Sequence, residues 1–320
     1  MLFLTAMYPK PERPEFGTFV RTQFESLERA GLDMELLVLD GRNRKLIYPK
    51  GVLQLRSRLS RSPVDLVHAH YSYVGVVART QWKVPVVLTY HGSDLLGSPG
   101  VNGRRSRASR LIAAGGGLFA RFVDAVIVQT VEMAARLRRP DVHVIPHEID
   151  FDTFQPVERG RARELLGLDP DRPYVLFACN PGLHNKNFPL AQAAVELVRR
   201  SKPEVELIVV HREPQPRLAL YMSACDVLSF PSWQEGSPNV VKQAMACGLP
   251  IVATDVGDIA SLIGTTPGCH LAAPTPEAFA TPLAEELSLR RRTDGRRAVG
   301  HLTKERVAAQ VLKVYEAVLR

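Results

Sequence analysis

Short apolar runs alternate with amphipathic segments along almost the whole chain, and near its midpoint the alternation starts again. This pattern limits the fold more than any other feature of the sequence. A short apolar run closed by Gly or Pro reads as a buried strand, and a segment with apolar residues at helical spacing reads as the crossover to the next strand. Repeated, the two make βαβ units that feed a parallel sheet. In the first half, strands are expected at Leu2 to Met7, Glu35 to Leu39, Leu66 to His68, Val86 to Thr89, Ala125 to Val128 and His143 to Ile145. In the second half they are expected at Tyr174 to Ala178, Val205 to Val210, Val227 to Phe230 and Ile251 to Ala253. Between the halves, prolines, acids and arginines from about Pro146 to Pro173 break the rhythm.

A chain of 320 residues is long for one core and suits two α/β domains of about 150 residues each. The expected division is 1–150 and 151–305, with 306–320 as a terminal helix whose Val307, Val311, Tyr315 and Val318 share one face. Upstream, Phe19 to Ala30 is helical by the same criterion, with Gly31 ending it. An apolar share of 45% with 23% charged residues is that of a soluble globular protein. No apolar run approaches the roughly 18 residues of a membrane-crossing helix. The opening stretch MLFLTAMYPKPERPE has no basic residue before its apolar part and reads as a first strand, not a secretory signal, so the cytoplasm is the expected compartment. Cys179, Cys225, Cys247 and Cys269 lie far apart with no Cys-x-x-Cys pair, so they read as small buried apolar residues and no metal site is expected from them.

Residues 226–258 carry the clearest chemistry. Val227 to Phe230 meets a Pro/Ser/Gly loop, a helix begins at Pro238, and Gly248 and Pro250 precede the next strand. The amides from Gly236 to Val240 then lie at a helix N-terminus, where unpaired N–H groups and the helix dipole favour a phosphate. Glu235 stands just before that helix and Gln243 eight residues further on.

Glu235, Gly236, Ser237 and Pro238, with Ala244-Met245-Ala246-Cys247-Gly248, resemble the donor-binding signature of retaining nucleotide-sugar glycosyltransferases, family 4 in particular. The resemblance implies two Rossmann-like domains facing across a cleft, the GT-B architecture, with the terminal helix crossing back to the first domain. It implies a first domain on the acceptor side and a second that holds a nucleotide-diphosphate sugar, with no metal cofactor. Glu235 would bond sugar hydroxyls, Gln243 would face the ribose, and Gly236, Ser237, Pro238, Asn239 and Val240 would line the donor. Position 243 is Gln where the family carries a second Glu.

Four other stretches fall at expected strand ends and resemble family counterparts. Gly17 closes a Pro-rich loop at a helix start and would contact a phosphate. His91-Gly92-Ser93-Asp94 looks like the family's His-Gly-x-Asp, which places His91 beside the transferred sugar and Asp94 on the acceptor side. In the loop after Phe177, Lys186 would neutralise charge on the leaving diphosphate, while Asn180 stands near the family's Arg. Val144 to Asp150 keeps the family's hydrophobic frame, with His147-Glu148 in place of its Asn-Gly, and supports topology more than chemistry.

His68 and His70 alternate along one strand on the same face and read as core or loop histidines, not metal ligands. Gly115-Gly116-Gly117 reads as a flexible break in a helical region. Basic charge is concentrated: residues 42–121 hold fourteen Lys or Arg, Arg42 among them, against Asp65 and Asp94, an excess of 12 beside the whole chain's +8. An anionic membrane surface, reached from the inner face as a peripheral protein, or an anionic lipid-linked acceptor would suit such a region. With no recognition motif or aromatic platform, nucleic acid is not expected as a partner.

The expected function is metal-independent transfer of a sugar, with retention, from a nucleotide-diphosphate sugar to a carbohydrate or lipid-linked acceptor, with Glu235, His91 and Lys186 as the catalytic candidates. Two alternatives stay open. One is a nucleotide-sugar-binding relative with weak or no transferase activity, since Gln243 and Asn180 replace a Glu and an Arg. The other is an epimerase of similar fold, which would need an acid/base pair that the sequence does not assign.

Overall fold

The structure, a computed structural model, describes residues 1–40, 44–100 and 103–320, and of Arg44 and Lys45 the backbone alone. Arg42 lies outside the described residues. The chain forms two compact units: Met1–Ser98 with Arg105–Glu148 and Lys304–Arg320, and Pro99–Arg104 with Ile149–Thr303.

The first unit runs β1 (Leu2–Thr5), α1 (Thr18–Arg29), β2 (Glu35–Val38), α2 (Arg44–Arg61), β3 (Val67–His70), α3 (Ser72–Ala78), β4 (Val86–Thr89), α4 (Ser93–Leu96), α5 (Arg107–Phe119), β5 (Ala125–Val128), α6 (Val131–Arg136) and β6 (Val142–Val144). Its six parallel strands are ordered β2-β1-β3-β4-β5-β6. β1, β3, β4 and β5 are buried along their whole length, because helices cover both faces.

The second unit runs α7 (Arg159–Leu166), β7 (Tyr174–Phe177), α8 (Phe188–Arg199), β8 (Glu206–Val209), α9 (Gln215–Ala224), β9 (Val227–Phe230), α10 (Asn239–Ala246), β10 (Ile251–Ala253), α11 (Ile259–Ile263), β11 (Cys269–Leu271), α12 (Pro276–Leu289) and α13 (Gly295–Ala298). Its parallel sheet is ordered β11-β10-β9-β7-β8. One face packs Leu176, Leu228, Phe230 and Ile251 on α10, and the other packs Val175, Val227 and Val252 on α8 and α12. The final helix, α14 (Lys304–Leu319), returns to the first unit, where Val307, Val311, Val314 and Tyr315 join Phe3, Leu27, Val87 and Ile127 in one cluster. Each such side chain contributes about 1.5–3 kcal/mol by leaving water.

In both sheets the strand order reverses direction once, between β1 and β3 and between β7 and β9. Loops at the carboxyl ends of these neighbours diverge and leave a crevice, the usual ligand position in an open parallel sheet. Gly17 follows β1, Lys186 follows β7 and Glu235 follows β9.

The glycine run corrects one expectation. Gly115, Gly116 and Gly117 lie inside the unbroken helix α5. A Cβ on Gly116 would stand 2.3 Å from the Asp94 carbonyl oxygen, so glycine lets α5 approach the α4 turn closely and does not break the helix.

Candidate active site

In the second unit three loops are tied together at the β7/β9 reversal. After β7, Asn180 is exposed and its Oδ1 accepts from Gly182 N at 2.9 Å, which makes it the hinge of a tight turn. A single 3-10 turn, His184–Lys186, follows, and Asn187 with φ 52° redirects the chain into α8. The loop after β9 joins this one where Trp233 N donates to Asn185 O at 2.8 Å. Beside that bond Lys186 Nζ donates to Glu235 Oε1 at 2.6 Å, both side chains being largely buried. Burial alone would pull the Lys186 ammonium down, but the Glu235 carboxylate and then Cys179 outweigh it, so its pKa lies above the ordinary lysine value. Lys186 therefore carries a full positive charge at neutral pH.

The third loop follows β10. Gly257 has φ 63°, and a Cβ there would meet Gly236 O at 2.1 Å, so only glycine lets this loop close on the Glu235-Gly236 backbone. Ser237 Oγ donates to Asp258 Oδ2 at 2.6 Å, and Thr254 Oγ1 to Ser232 O at 2.6 Å. Burial raises the Asp258 carboxyl above its usual range. Asp258, Gly257 and Trp233 were not among the site residues expected from sequence, although Gly257-Asp258 in the loop that follows β10 was an available signal.

Pro238 stands at the N-cap of α10 with no side chain capping it. The first backbone bonds of the helix run from Val241 and Lys242 to Pro238 O, which leaves the Asn239 and Val240 amides as the helix's initial unpaired donors. Asn239 Oδ1 lies 3.4 Å from Nζ of the fully buried Lys242. Gln243, half-buried, sits one turn beyond Asn239 on the same helix side. A full cation, a carboxylate and a helix N-terminus thus share one sheet edge. That combination suits a ligand with anionic and hydroxyl-bearing parts.

In the first unit, Gly17 has φ 74° and caps α1, and a Cβ would lie 2.6–2.8 Å from backbone atoms of Met7 and Tyr8. Close packing of the chain on itself is thus enough to require glycine there. Asp94 is buried and its carboxylate accepts from the backbone amides of Ser72, His91 and Gly92 at 3.1 Å each. Burial pushes it up to about 6 in spite of those bonds. Asp94 fixes the turn that presents His91.

His91 is the centre of a chain of imidazoles. His70 Nδ1 lies 3.2 Å from His91 Nε2, and His91 Nδ1 lies 3.0 Å from His147 Nε2. His91 stacks on His147 with centroids 5.0 Å apart, and the Phe19 ring lies against both. Tyr71, with φ 84°, is a strained non-glycine residue at the same point and stacks on His91. His68 Nδ1 pairs with Tyr315 Oη at 2.6 Å and Nε2 with Thr89 Oγ1 at 2.7 Å, so both its nitrogens are committed. Burial pulls His91 and His68 down to about 3 and His70 well below its usual value, so these rings are neutral at physiological pH. His147, expected from the sequence to support topology more than chemistry, partners His91. Its neighbour Glu148 accepts from Ser26 Oγ at 2.9 Å.

Residues 4–153 match the family described as Glycosyltransferase Family 4, and residues 189–288 match Glycosyl transferases group 1. A D-inositol 3-phosphate glycosyltransferase of Xylanimonas cellulosilytica is 28% identical, over 86% of this chain and 73% of its own length. Among solved structures, sucrose-phosphate synthase from Thermosynechococcus elongatus superposes with a TM-score of 0.78 at 20% identity, covering 99% of this chain and 98% of its own. Anabaena HepE, solved with UDP and glucose, gives 0.71 at 15% identity, with 99% of each chain covered. The two parallel sheets with their helices have the GT-B fold.

Proposed function

The chain belongs to glycosyltransferase family 4, group 1 type, and we propose that it transfers a sugar from a nucleotide-diphosphate sugar to a carbohydrate or lipid-linked acceptor, with retention and without a metal ion. One observation carries the reading: the Lys186–Glu235 pair lies at the β7/β9 reversal beside the N-terminus of α10. The diphosphate would take its place against the Asn239 and Val240 amides and Lys186, and Glu235 would turn to the sugar hydroxyls. As the bond from the anomeric carbon to the diphosphate oxygen breaks, negative charge grows on the phosphate. Donors already aimed there lower the barrier without a cation. The acceptor oxygen bonds the anomeric carbon on the face the phosphate leaves, and its proton passes to the departing phosphate oxygen. His91, neutral and held by His70 and His147, would position the sugar and not exchange protons with it. An acceptor carried by a lipid would bring the basic residues of 42–121 to a membrane surface.

A second reading, a donor-binding relative with little turnover, rests on Gln243, whose neutral amide replaces a carboxylate that could accept from both ribose hydroxyls. Thermal shift across UDP-, GDP- and ADP-sugars, followed by mass spectrometry of donor transfer and hydrolysis, separates the cases. Binding with turnover supports the transferase, and binding without turnover in both the native chain and Gln243→Glu supports the relative. A melting temperature unmoved by every nucleotide would overturn both.

A further inference from the structure

The arginines of the first unit differ in their surroundings. Arg58 pairs with Glu35, Arg79 with Asp124 while lying 4.4 Å over the Trp82 ring, and Arg139 with Asp141. Five others, Arg105, Arg110, Arg121, Arg136 and Arg138, converge on an open pocket of about 630 Å³ between α5, α4 and α6. Among the described residues no acidic side chain lines it; Glu132 pairs with Arg136 at 3.2 Å on the surface and its charge also acts on Arg105. The hollow exists because α5 turns Ala113, Ala114 and Gly117 toward it, leaving room that larger side chains would fill. Like charges gathered this way repel one another unless an anion shares them. Burial and the neighbouring Arg136 guanidinium both pull Arg105 below its ordinary value.

Beside the pocket, α5 exposes an apolar stripe. Leu111 is 73% exposed and Leu118 57%, with Ile112 between them at 48%, and Phe122 just past the helix is 51% exposed. Leu111 and Leu118 are seven residues apart and share one side of α5, and Ile112 stands next to Leu111. A water-facing helix normally puts polar residues there. Apolar residues flanked by arginines are the pattern of a helix lying in a membrane interface.

We propose that α5 docks the first unit on an anionic lipid surface, with Leu111, Ile112 and Leu118 entering the acyl boundary and the arginine pocket taking a lipid head-group phosphate. Planar guanidinium groups bind phosphate oxygens in pairs, which a bare lysine patch does not do. The apolar stripe favours a bilayer over nucleic acid, since apart from Phe122 its exposed side chains are aliphatic, whereas a single-strand binder stacks successive bases on several rings. The inference rests on the reading of a lipid-linked acceptor and adds the place of contact and the chemistry of the lipid.

The test is flotation of the native chain with vesicles of phosphatidylcholine alone and of phosphatidylcholine mixed equally with phosphatidylglycerol. It should float with the mixture and not with phosphatidylcholine alone, and less well as salt rises. Arg121→Gln with Arg138→Gln should lower partitioning more than tenfold. Leu111→Ser with Leu118→Ser should lower it to a similar degree. Arg200→Gln with Lys202→Gln removes the same charge from the second unit and should leave partitioning unchanged. All six positions are at least partly exposed, and a melting curve for each variant confirms that it is folded. Equal loss in the charge-matched control, no flotation of the native chain, or a short DNA duplex bound through the same arginines while vesicles are ignored would each overturn the proposal. Flotation needs no nucleotide sugar. A chain that floats but transfers nothing fails as a transferase, and a chain that transfers but does not float fails only here.

Discussion

The Lys186–Glu235 contact is the smallest unit on which the proposed chemistry depends. Removing the ammonium leaves the growing phosphate charge one donor short. Lys186→Met should therefore lower kcat by about 10²–10³-fold, the usual cost of one lost transition-state donor. The melting temperature should also fall, because Glu235 loses its largely buried partner, and a melting curve confirms that the variant assayed is folded. A steady-state assay that returns native turnover would remove Lys186 from the catalytic set. The buried histidines make a second prediction. His68 and His91 are held near 3 when folded and His70 well below its usual value, whereas an unfolded histidine titrates near 6.5, so below about 6.5 the unfolded chain binds protons that the folded chain refuses. Stability is then present above 6.5 and lost on acidification, by at most about 1.4 kcal/mol per pH unit for each proton. Asp94 acts in the opposite sense between about 6 and its ordinary 3.8, because its carboxyl takes up a proton earlier when folded. With three histidines against one carboxyl the sum keeps its sign, and urea midpoints should fall from pH 7 to pH 5. A flat or rising profile contradicts that burial. At this scale the contiguous motif around Glu235 was legible in the sequence. The imidazole chain was not, because His70, His91 and His147 come from three separate strand ends that only the sheet brings together.

Elements were read more completely than contacts. All ten strands expected from apolar runs appear, most of them because a strand buried on both faces must be largely apolar, although β2, β6 and β8 are partly exposed. β11 was missed because Cys269-His270-Leu271 holds no β-branched residue, unlike the equally short β6 with its Val142 and Val144. The glycine run in α5 was misread for a related reason: glycine is a poor helix former, and only tertiary contact shows why it is used. Two neighbours in that run separate the effects. A Cβ added to Gly115 would meet nothing within 4 Å, so Gly115→Ala should stabilise the chain by about 0.5–1 kcal/mol. Gly116→Ala should destabilise it, because the added carbon would lie 2.3 Å from Asp94 O. Chemical denaturation of both variants decides the point, and a matching response would contradict the close approach of α5 to α4.

For the whole molecule, the single restart of the βαβ rhythm was enough to predict two Rossmann-like units. How the loops of each unit knit together was not, since bonds such as Trp233 to Asn185 are made by backbone atoms that every residue has. The first unit is assembled from separate stretches of chain and closed by α14. Ending the chain at Thr303 should uncover Phe3, Val87 and Ile127, and calorimetry should then show the first unit's transition lost while the second unit's persists. Retention of both transitions would mean that α14 is dispensable. The placing of α14 also sets an order of events on the ribosome. At about 5–20 residues per second, the second unit must emerge and can fold while the sheet of the first still lacks one of its covering helices. For on the order of ten seconds that apolar face is open to chaperones or to other nascent chains, so yield in the cell is governed by this waiting time as well as by the stability of the finished protein.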